Sequence, residues 1–518
     1  VHFYNAINKR QAFYAAALVV GAILFLCVKE LFFFDEDVFV TDTGSIFFQQ
    51  TWQRSPIPKL FFKIENFFFG KAALGYHVTS IFLHLINGFV ALKVTKKIIV
   101  LVSKQTINLQ TEIILPVFFI IFLLSPVHSE PLCYVLAQGI LPTTFFCLLT
   151  ILFFLKTLDK NKNYSILSLL FFILSILSYE ISWLLPCIIF CLAFFINDIK
   201  KHSFNKSLLA SVPYFLVLAI WFFIKTVFIS KSLVIDYSGF SVLNINPVTF
   251  CRNTMVMLLR NFIPPFKSTA VFVFTGTAFT IFILVALIKV YKTNKAVLKL
   301  LILFLLLTIL AFLPAAPFGI DSHDSESERY IYFSSVFAIS FLTVLLTASL
   351  KNKLFMSVII VMLLAVYNFI LFNTINYYKQ GGIFSKKYLT TLFDSTKEYK
   401  NVFILNQPSQ YKGALLFRAQ SRLPETGENL TTLNEYMHYL YNQDQKVYTT
   451  LSLKNLDTIP KEIKIISASL DSSAIYFPGI QYNNIKGTIS ANNIPAFPFD
   501  RKNSCVFGLS NDSLFIFK

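Results

Sequence analysis

Residues 12–42 read AFYAAALVVGAILFLCVKELFFFDEDVFVTD. An apolar run over roughly 12–34 ends abruptly in Asp35, Glu36 and Asp37, with Asp42 a short step beyond. A bilayer's hydrocarbon core is spanned by about 20 mostly apolar helical residues, so the run reads as a transmembrane helix. Lys9 and Arg10 precede it and no small-residue cleavage site follows, which favours a retained first helix over a cleaved signal peptide. Three consecutive acids at its far end exceed what topology needs, because Asp and Glu contribute little to orientation. The fold class and the place to look for chemistry therefore come from one stretch.

The rest of the 518-residue chain agrees: 55% of it is hydrophobic, 14% is charged and the mean hydropathy is +0.64. Soluble domains carry about a quarter charged residues, so an ordinary cytosolic enzyme is excluded. The 60 Phe residues exclude a disordered chain. The net charge of +18 lies mostly between apolar runs, where it orients a membrane protein rather than recruiting nucleic acid. The 7 Cys show neither zinc-site nor disulfide-framework spacing.

Further apolar runs lie at roughly 76–95, 111–126, 132–155, 164–180, 181–197, 207–230, 268–290, 298–318, 329–349 and 354–375. The expected architecture is a polytopic α-helical membrane protein of about eleven spans. Lysines at 93, 96, 97 and 104, at 156, 160 and 162, at 200, 201 and 206, at 289, 292, 295 and 299, and at 351 and 353 all fall in alternate loops. The short turns at 126–131 and 178–182 carry no Lys or Arg. By the positive-inside rule the N-terminus is cytoplasmic and the C-terminus extracytoplasmic. Two outer loops are long, at 35–75 and 231–267. The first holds SIFFQQTWQ and KLFFKIENFFF around Pro56 and Pro58, aromatic stretches suited to the headgroup interface.

Past Ile375 the pattern changes to short strand-like runs, among them NVFILN, GALLF, EIKIISASL, SAIYF and SLFIFK, with a helical stretch at LTTLNEYMHYLYN. The expected division is a transmembrane domain over 1–375 and a small mixed α/β extracytoplasmic domain over 376–518.

Ionisable residues at span ends are costly and point to function. Here they gather on the outer side: Asp35, Glu36, Asp37 and Asp42, then His128 and Glu130 in SPVHSEP, Glu180 in LSYEIS, and Asp321, His323, Asp324, Glu328 and Arg329 in DSHDSESERYIYF. His77 and His84, seven apart, share one face of the second span. Carboxylates of this kind serve as a general base or a cation site. Arg329 suits a phosphate, as a bidentate donor that stays charged. There is no Gly-rich phosphate loop, HExxH or nucleophile-elbow serine, which argues against nucleotide-driven pumping, zinc proteolysis and serine hydrolysis. A donor for acids on the outer face must arrive through the membrane, as a sugar on a polyprenyl phosphate does.

The order of these stretches resembles the GT-C superfamily of membrane glycosyltransferases, especially protein O-mannosyltransferases and the membrane half of transmembrane/tetratricopeptide-repeat mannosyltransferases. FFFDEDVFVTD is similar to the acidic motif of their first outer loop. FFFGKAALGYHVTSIFLHLIN keeps Gly70, Tyr76, His77, His84 and Asn87 of a second motif. LLSPVHSEPLCYVLAQ, LSYEISWLLP and SERYIYF are similar to three more. Ser80, Tyr179 and Gln138 stand where the family pattern has Asn, a basic residue and Arg.

The resemblance implies an inverting glycosyltransferase that moves a sugar, mannose favoured, from a polyprenyl-phosphate carrier to a protein or glycolipid hydroxyl. It implies Asp35 as base with Glu36 as helper. It implies Arg329, His128, Glu130, Arg54, Tyr330 and His77 as donor-phosphate or substrate contacts. Glu130 and Asp37 are placed to position substrate or a divalent cation, although no full ligand set can be counted. The alternatives are a non-catalytic GT-C-like scaffold subunit of an envelope complex and a lipid-linked glycan transporter. The Phe-, Ile-, Lys- and Asn-rich composition fits a low-GC bacterium, whose outer side would be the periplasm.

Overall fold

The computed structural model describes residues 2–33, 37–44, 48, 55–103, 111–158, 164–196, 203–229, 246–320, 322–323, 325–350 and 352–398. Beyond these it describes 401–404, 408–411, 414–417, 420–422, 429–443, 446–448, 464–466, 474–476, 480–483, 488–491, 494–498, 506–510 and 513–517. Asp35, Glu36 and Arg54 lie outside the described residues, as do Asp321 and Asp324.

The chain begins with α1 (His2–Val28) and a single turn, α2 (Val38–Thr41), followed by α3 (Pro56–Phe69) and α4 (Ala73–Ser103). Proline opens α3, where the missing N–H costs nothing, and Gly70 closes it at φ 50. Next come α5 (Thr111–Leu123) and α6 (Ser129–Cys133), bent by 48° where Pro126 starts a 3₁₀ turn. A 3₁₀ turn at Leu136–Gly139 leads into α7 (Ile140–Thr157), then α8 (Tyr164–Ile176), α9 (Leu185–Ile196) and α10 (Ser203–Ile224). The series continues with α11 (Pro247–Arg260), α12 (Thr269–Thr293), α13 (Lys295–Phe312), α14 (Tyr332–Ser349) and α15 (Lys353–Thr396).

Six helical stretches among the described residues are long and apolar enough to cross a membrane: Leu136–Thr157, Phe204–Val227, Thr269–Thr293, Lys295–Ala315, Glu328–Ser349 and Leu354–Thr396. The bent pair Ile114–Leu123 and Pro126–Cys133 makes a seventh if it is one span. These fall on seven of the eleven expected runs. At the other four stand α4 and shorter apolar helices, Phe13–Val28, Tyr164–Ile176 and Glu180–Ile196. The turn between α8 and α9 explains two of the short ones: Glu180–Leu184 is 3₁₀, so the apolar run there is shared between two elements. The chain is a polytopic helical membrane protein.

Helix α14 is the centre of the bundle, buried along nearly its whole length. Lipid tails are as apolar as Leu, so helices in a bilayer associate through close packing and hydrogen bonds between small polar residues. Ser340 Oγ meets Thr95 Oγ1 of α4 at 2.9 Å, and Ser334 Oγ donates to Asn261 Oδ1 at 2.7 Å. Gly88 lets α4 approach α5: a Cβ there would lie 2.8 Å from Leu123 Cδ2. By contrast α10 and α12 expose Leu209, Leu216, Phe223, Phe274, Leu284 and Val285, as lipid-facing helices do.

Helix α3 has two faces. Leu60, Ile64, Phe67 and Phe68 recur at helical spacing and are exposed, while Pro58, Lys59, Phe62 and Glu65 are buried. One face of α3 is therefore an exposed apolar stripe and the other is packed against the bundle.

Helix α15 runs through residue 375, the boundary expected from sequence, and ends only at Thr396. Its 44 residues extend about 66 Å, roughly twice the hydrocarbon thickness. Apolar content falls at 375 but nothing there stops a helix. Gly381 and Gly382 allow close approach instead, because Cβ atoms would lie 2.4 Å from Ala414 Cβ and 2.9 Å from Phe32 N.

Beyond α15, Lys446–Tyr448, Asn401–Ile404, Lys464–Ile466 and Val506–Ser510 pair in parallel, and Ser513–Phe517 pairs antiparallel at one edge. The helical stretch expected there is α16 (Thr432–Tyr441).

Gly88→Val should crowd α4 against α5 and cost about 1–3 kcal/mol of stability. Thermal unfolding in detergent checks this, with a lowered midpoint as the expected outcome.

Candidate active site

Two short turns far apart in sequence meet residue against residue at one end of the bundle. From the start of α6, Ser129 Oγ donates to Glu328 Oε2 at 2.8 Å. Its neighbour Glu130 accepts twice from Arg329, from Nη1 at 2.8 Å and from the backbone N–H at 2.6 Å. Ser327, at φ 68, precedes the 3₁₀ turn Glu328–Ile331 that presents both residues. Glu328 in turn accepts from Arg260 Nη2 at 2.6 Å, and Arg260 Nη1 donates to the Ile263 carbonyl at 3.0 Å.

The two ion pairs differ in access. Side chains of Arg260 and Glu328 are 0% and 1% exposed, whereas Arg329 keeps 19% exposure beside a 1% exposed Glu130. The first pair is structural, because no ligand can reach it. The second leaves a guanidinium oriented by Glu130, lying 5.1 Å from the Tyr330 ring centroid, with Tyr330 stacked on Phe318. An arginine so held has donors left for an anion.

The acidic segment reaches the same place. Asp37 Oδ1 accepts from the Leu136 backbone N–H at 2.9 Å, and two residues on Gln138 Nε2 donates to Glu65 Oε1 at 2.7 Å. Asn66 Nδ2 donates to the Thr41 carbonyl at 2.6 Å. Thus α2, α3 and the 136–139 turn are tied together.

The histidines lie deeper. His84 Nδ1 meets the Tyr332 hydroxyl at 2.8 Å and its Nε2 meets the Leu123 carbonyl at 3.1 Å. His128 Nε2 meets Ser335 Oγ at 2.8 Å, with the two imidazole centroids 5.0 Å apart. Asn87 Nδ2 donates to the Leu141 carbonyl at 3.0 Å. His77, His84 and His128 are wholly buried and line no open surface; His84 and His128 join α4 and the bend after α5 to α14.

A third layer comes from α16. The Gly70 carbonyl accepts from Tyr76 at 3.0 Å and from Tyr439 at 2.8 Å. Lys71 Nζ donates to the Leu440 carbonyl at 3.2 Å and to Asn442 Oδ1 at 3.3 Å. Glu435 on this helix is buried, and burial first, then the charge of Asp42, pushes its carboxyl up to about 7.

Among the described residues no group of three His, Cys, Asp or Glu side chains could hold a metal ion. Glu130 offers a reason: both its oxygens are taken by Arg329.

No family model matches the chain, and no curated protein matches it. A solved structure, that of the Archaeoglobus fulgidus oligosaccharyltransferase tethered with an acceptor peptide containing the NVT sequon via a disulfide bond, is similar at a TM-score of 0.39 and 10% identity. The match covers 84% of this chain and 64% of that one, so the chain spans under two thirds of that neighbour's length. So distant a likeness transfers no residue roles.

The structure thus gathers Asp37, Glu130, Arg329 and Tyr330 at one end, places His77 and His128 beneath, and adds Arg260, Glu65 and Tyr439, which sequence reading missed. Two of these carried a signal. Arg260 is a cation next to Pro264 and Pro265 in a loop exempted from the charge rule for its length, and Glu65 is a lone acid among phenylalanines.

Arg260→Met should cost about 3–5 kcal/mol, because it leaves Glu328 buried and unpaired. Arg260→Met with Glu328→Leu should recover most of that loss. Unfolding midpoints of the single and double variants check the pairing.

Proposed function

We propose that the chain transfers a sugar, mannose favoured, from a polyprenyl phosphate to a hydroxyl of a protein or glycolipid. The observation that carries this reading is that motifs far apart in sequence are hydrogen-bonded to one another: LLSPVHSEPLCYVLAQ meets Arg329 through Glu130 and Asp37 through Leu136, while its Gln138 meets Glu65 of the aromatic stretch. Motifs shared only by chance composition would have no reason to meet.

In this reading the acid segment supplies the base, with Asp35 taking the acceptor's proton and Glu36 assisting. A carboxylate suffices if it lies within hydrogen-bond reach of the attacking hydroxyl. The acceptor oxygen forms its bond to the anomeric carbon as the carbon–phosphate oxygen bond breaks. The leaving polyprenyl phosphate keeps its charge and needs a preorganised cation rather than a proton. Arg329 fills that role, held by Glu130 and flanked by Tyr330, with Arg54 a second contact. His128 and His77 act from below by fixing the helices that carry these groups. The reaction end faces the extracytoplasmic side, with the N-terminus in the cytoplasm.

The test is transfer from radiolabelled polyprenyl-phosphate mannose by the purified chain in a membrane extract. Asp35→Asn should lower kcat by about 10²–10⁴-fold at unchanged protein level. Arg329→Lys should lower transfer too, since a point charge loses the bidentate geometry. Equal transfer by wild type and Asp35→Asn would discard the base. No transfer by wild type from mannosyl, glucosyl or arabinosyl donors would leave the scaffold and transporter readings.

A further inference from the structure

Glu65 and Gln138 present a mismatch that a single proton resolves. Gln138 Nε2 donates to Glu65 Oε1 at 2.7 Å. The other oxygen of each group, Glu65 Oε2 and Gln138 Oε1, is buried and accepts no hydrogen bond from any described residue. As drawn, two acceptors are left over in a site that is 3% exposed at Glu65 and 0% at Gln138. Buried polar atoms rarely go unpaired, so a missing donor is the simplest account. A carboxylic acid carries one O–H donor and one acceptor, and a primary amide carries the complementary pair.

We propose that Glu65 is held as a neutral carboxylic acid whose O–H donates to Gln138 Oε1, and that this acid–amide clasp makes Glu65 a positioning residue for the acidic segment. The clasp fixes the 136–139 turn against α3. Leu136, in the same turn, donates its N–H to Asp37 Oδ1 at 2.9 Å, and Asp37 adjoins Asp35 and Glu36. Glu65 therefore acts through Gln138 and Leu136 on Asp37, two residues along the chain from the proposed base. The effect on transfer rests on the proposed function; the protonation itself does not.

The surroundings favour the neutral form. On α4 the ionisable group coupled to Glu65 is the Tyr76 phenol, and no described cation acts on the Glu65 carboxyl. The 136–139 turn and the first half of α7 contain no ionisable residue except Cys147. On α3 itself, the Lys59 ammonium goes to the Phe48 carbonyl at 3.1 Å and Lys63 is exposed. Thr79 lies near enough to favour the charged Glu65 if its hydroxyl turned, but that proton goes to the Gly75 carbonyl at 3.0 Å. Burial accordingly pushes the Glu65 carboxyl up to about 8. A raised carboxyl value means the clasp is fully present below the ordinary value near 4.5 and is lost as pH rises through about 8. Gln138 stands where the resembled family has Arg; an arginine would ionise Glu65 and make an ion pair instead.

Infrared difference spectroscopy on the full chain in lipid tests the protonation directly. At pH 7 a protonated-carboxyl C=O band should be present, should vanish in Glu65→Gln, and should fade as pH rises past about 8. Gln138→Leu provides a second variant: the band should persist but shift toward that of a carboxylic acid without a strong partner. In the transfer assay, wild type should lose kcat by about tenfold per pH unit above that value, with KM little changed. Glu65→Gln, a neutral isostere, should lack that limb, and Gln138→Arg should lack it as well. Absence of any Glu65-dependent acid band at pH 7 would overturn the clasp. An alkaline limb shared unchanged by Glu65→Gln would overturn the positioning role. A band with the expected titration in a chain that transfers no sugar would uphold the clasp and sink the proposed function instead.

Discussion

A guanidinium with no exposure to water cannot stand alone, and Arg260 is such a group. Its carboxylate partner is Glu328, and that pairing dictates much of the surrounding architecture. Hydrocarbon offers no solvation, so the remaining donors and acceptors must also be met inside the protein. Ser129 takes the second Glu328 oxygen and the Ile263 carbonyl takes another arginine donor. Buried ion pairs are weak evidence for stability, because desolvation offsets attraction, but they do penalise misregister. Here register has a consequence. With Ser129 fixed against Glu328, the next residues along, Glu130 and Arg329, are brought opposite each other.

The same end of the bundle handles a second buried acid differently. Glu130 is matched to a cation, which leaves a partly exposed arginine beside it. Glu65 is matched to an amide, and on the reading proposed above carries a proton. Both solutions obey one rule, that a buried carboxyl needs as many donors as it has unsatisfied lone pairs. The identity of the partner decides whether the donor is an N–H already present or a proton taken up from water.

Much of this was legible in the sequence. Apolar runs of span length pointed to the membrane architecture, and the acids at their ends to the segments that hold Asp37, Glu130 and Arg329. The pairing was less legible. Glu328 is the sequence neighbour of Arg329 and the obvious salt-bridge partner, yet the 3₁₀ turn gives them different partners, Arg260 and Ser129 for Glu328 and Glu130 for Arg329. Sequence spacing does not register that reversal. Gln138 looked like the loss of a basic residue; only its contact with Glu65 shows a matched pair. The composition change near 375 does not coincide with a helix end, because a helix such as α15 continues past it. His77 and His84 do share one face, but burial alone decides that the face is internal.

What the sequence could not show at all is how Phe33 and Asp37, the described residues on either side of the acids, are held. On the N-terminal side, the Phe33 carbonyl accepts from Ser385 of α15 at 3.1 Å, and its ring meets Tyr76 and Tyr439. On the C-terminal side, Asp37 is held by the 136–139 turn and Thr41 by Asn66. The Gly70 carbonyl then joins α16 to the start of α4 through two tyrosine hydroxyls. These anchors come from five separate parts of the chain. A base that must meet a hydroxyl at hydrogen-bond distance loses rate with small displacements, so orientation is worth many contacts of modest strength. The C-terminal helix, absent from the family motifs, is then part of the frame: without Tyr439 and the Lys71 contacts, the Gly70 turn would be held from one side only.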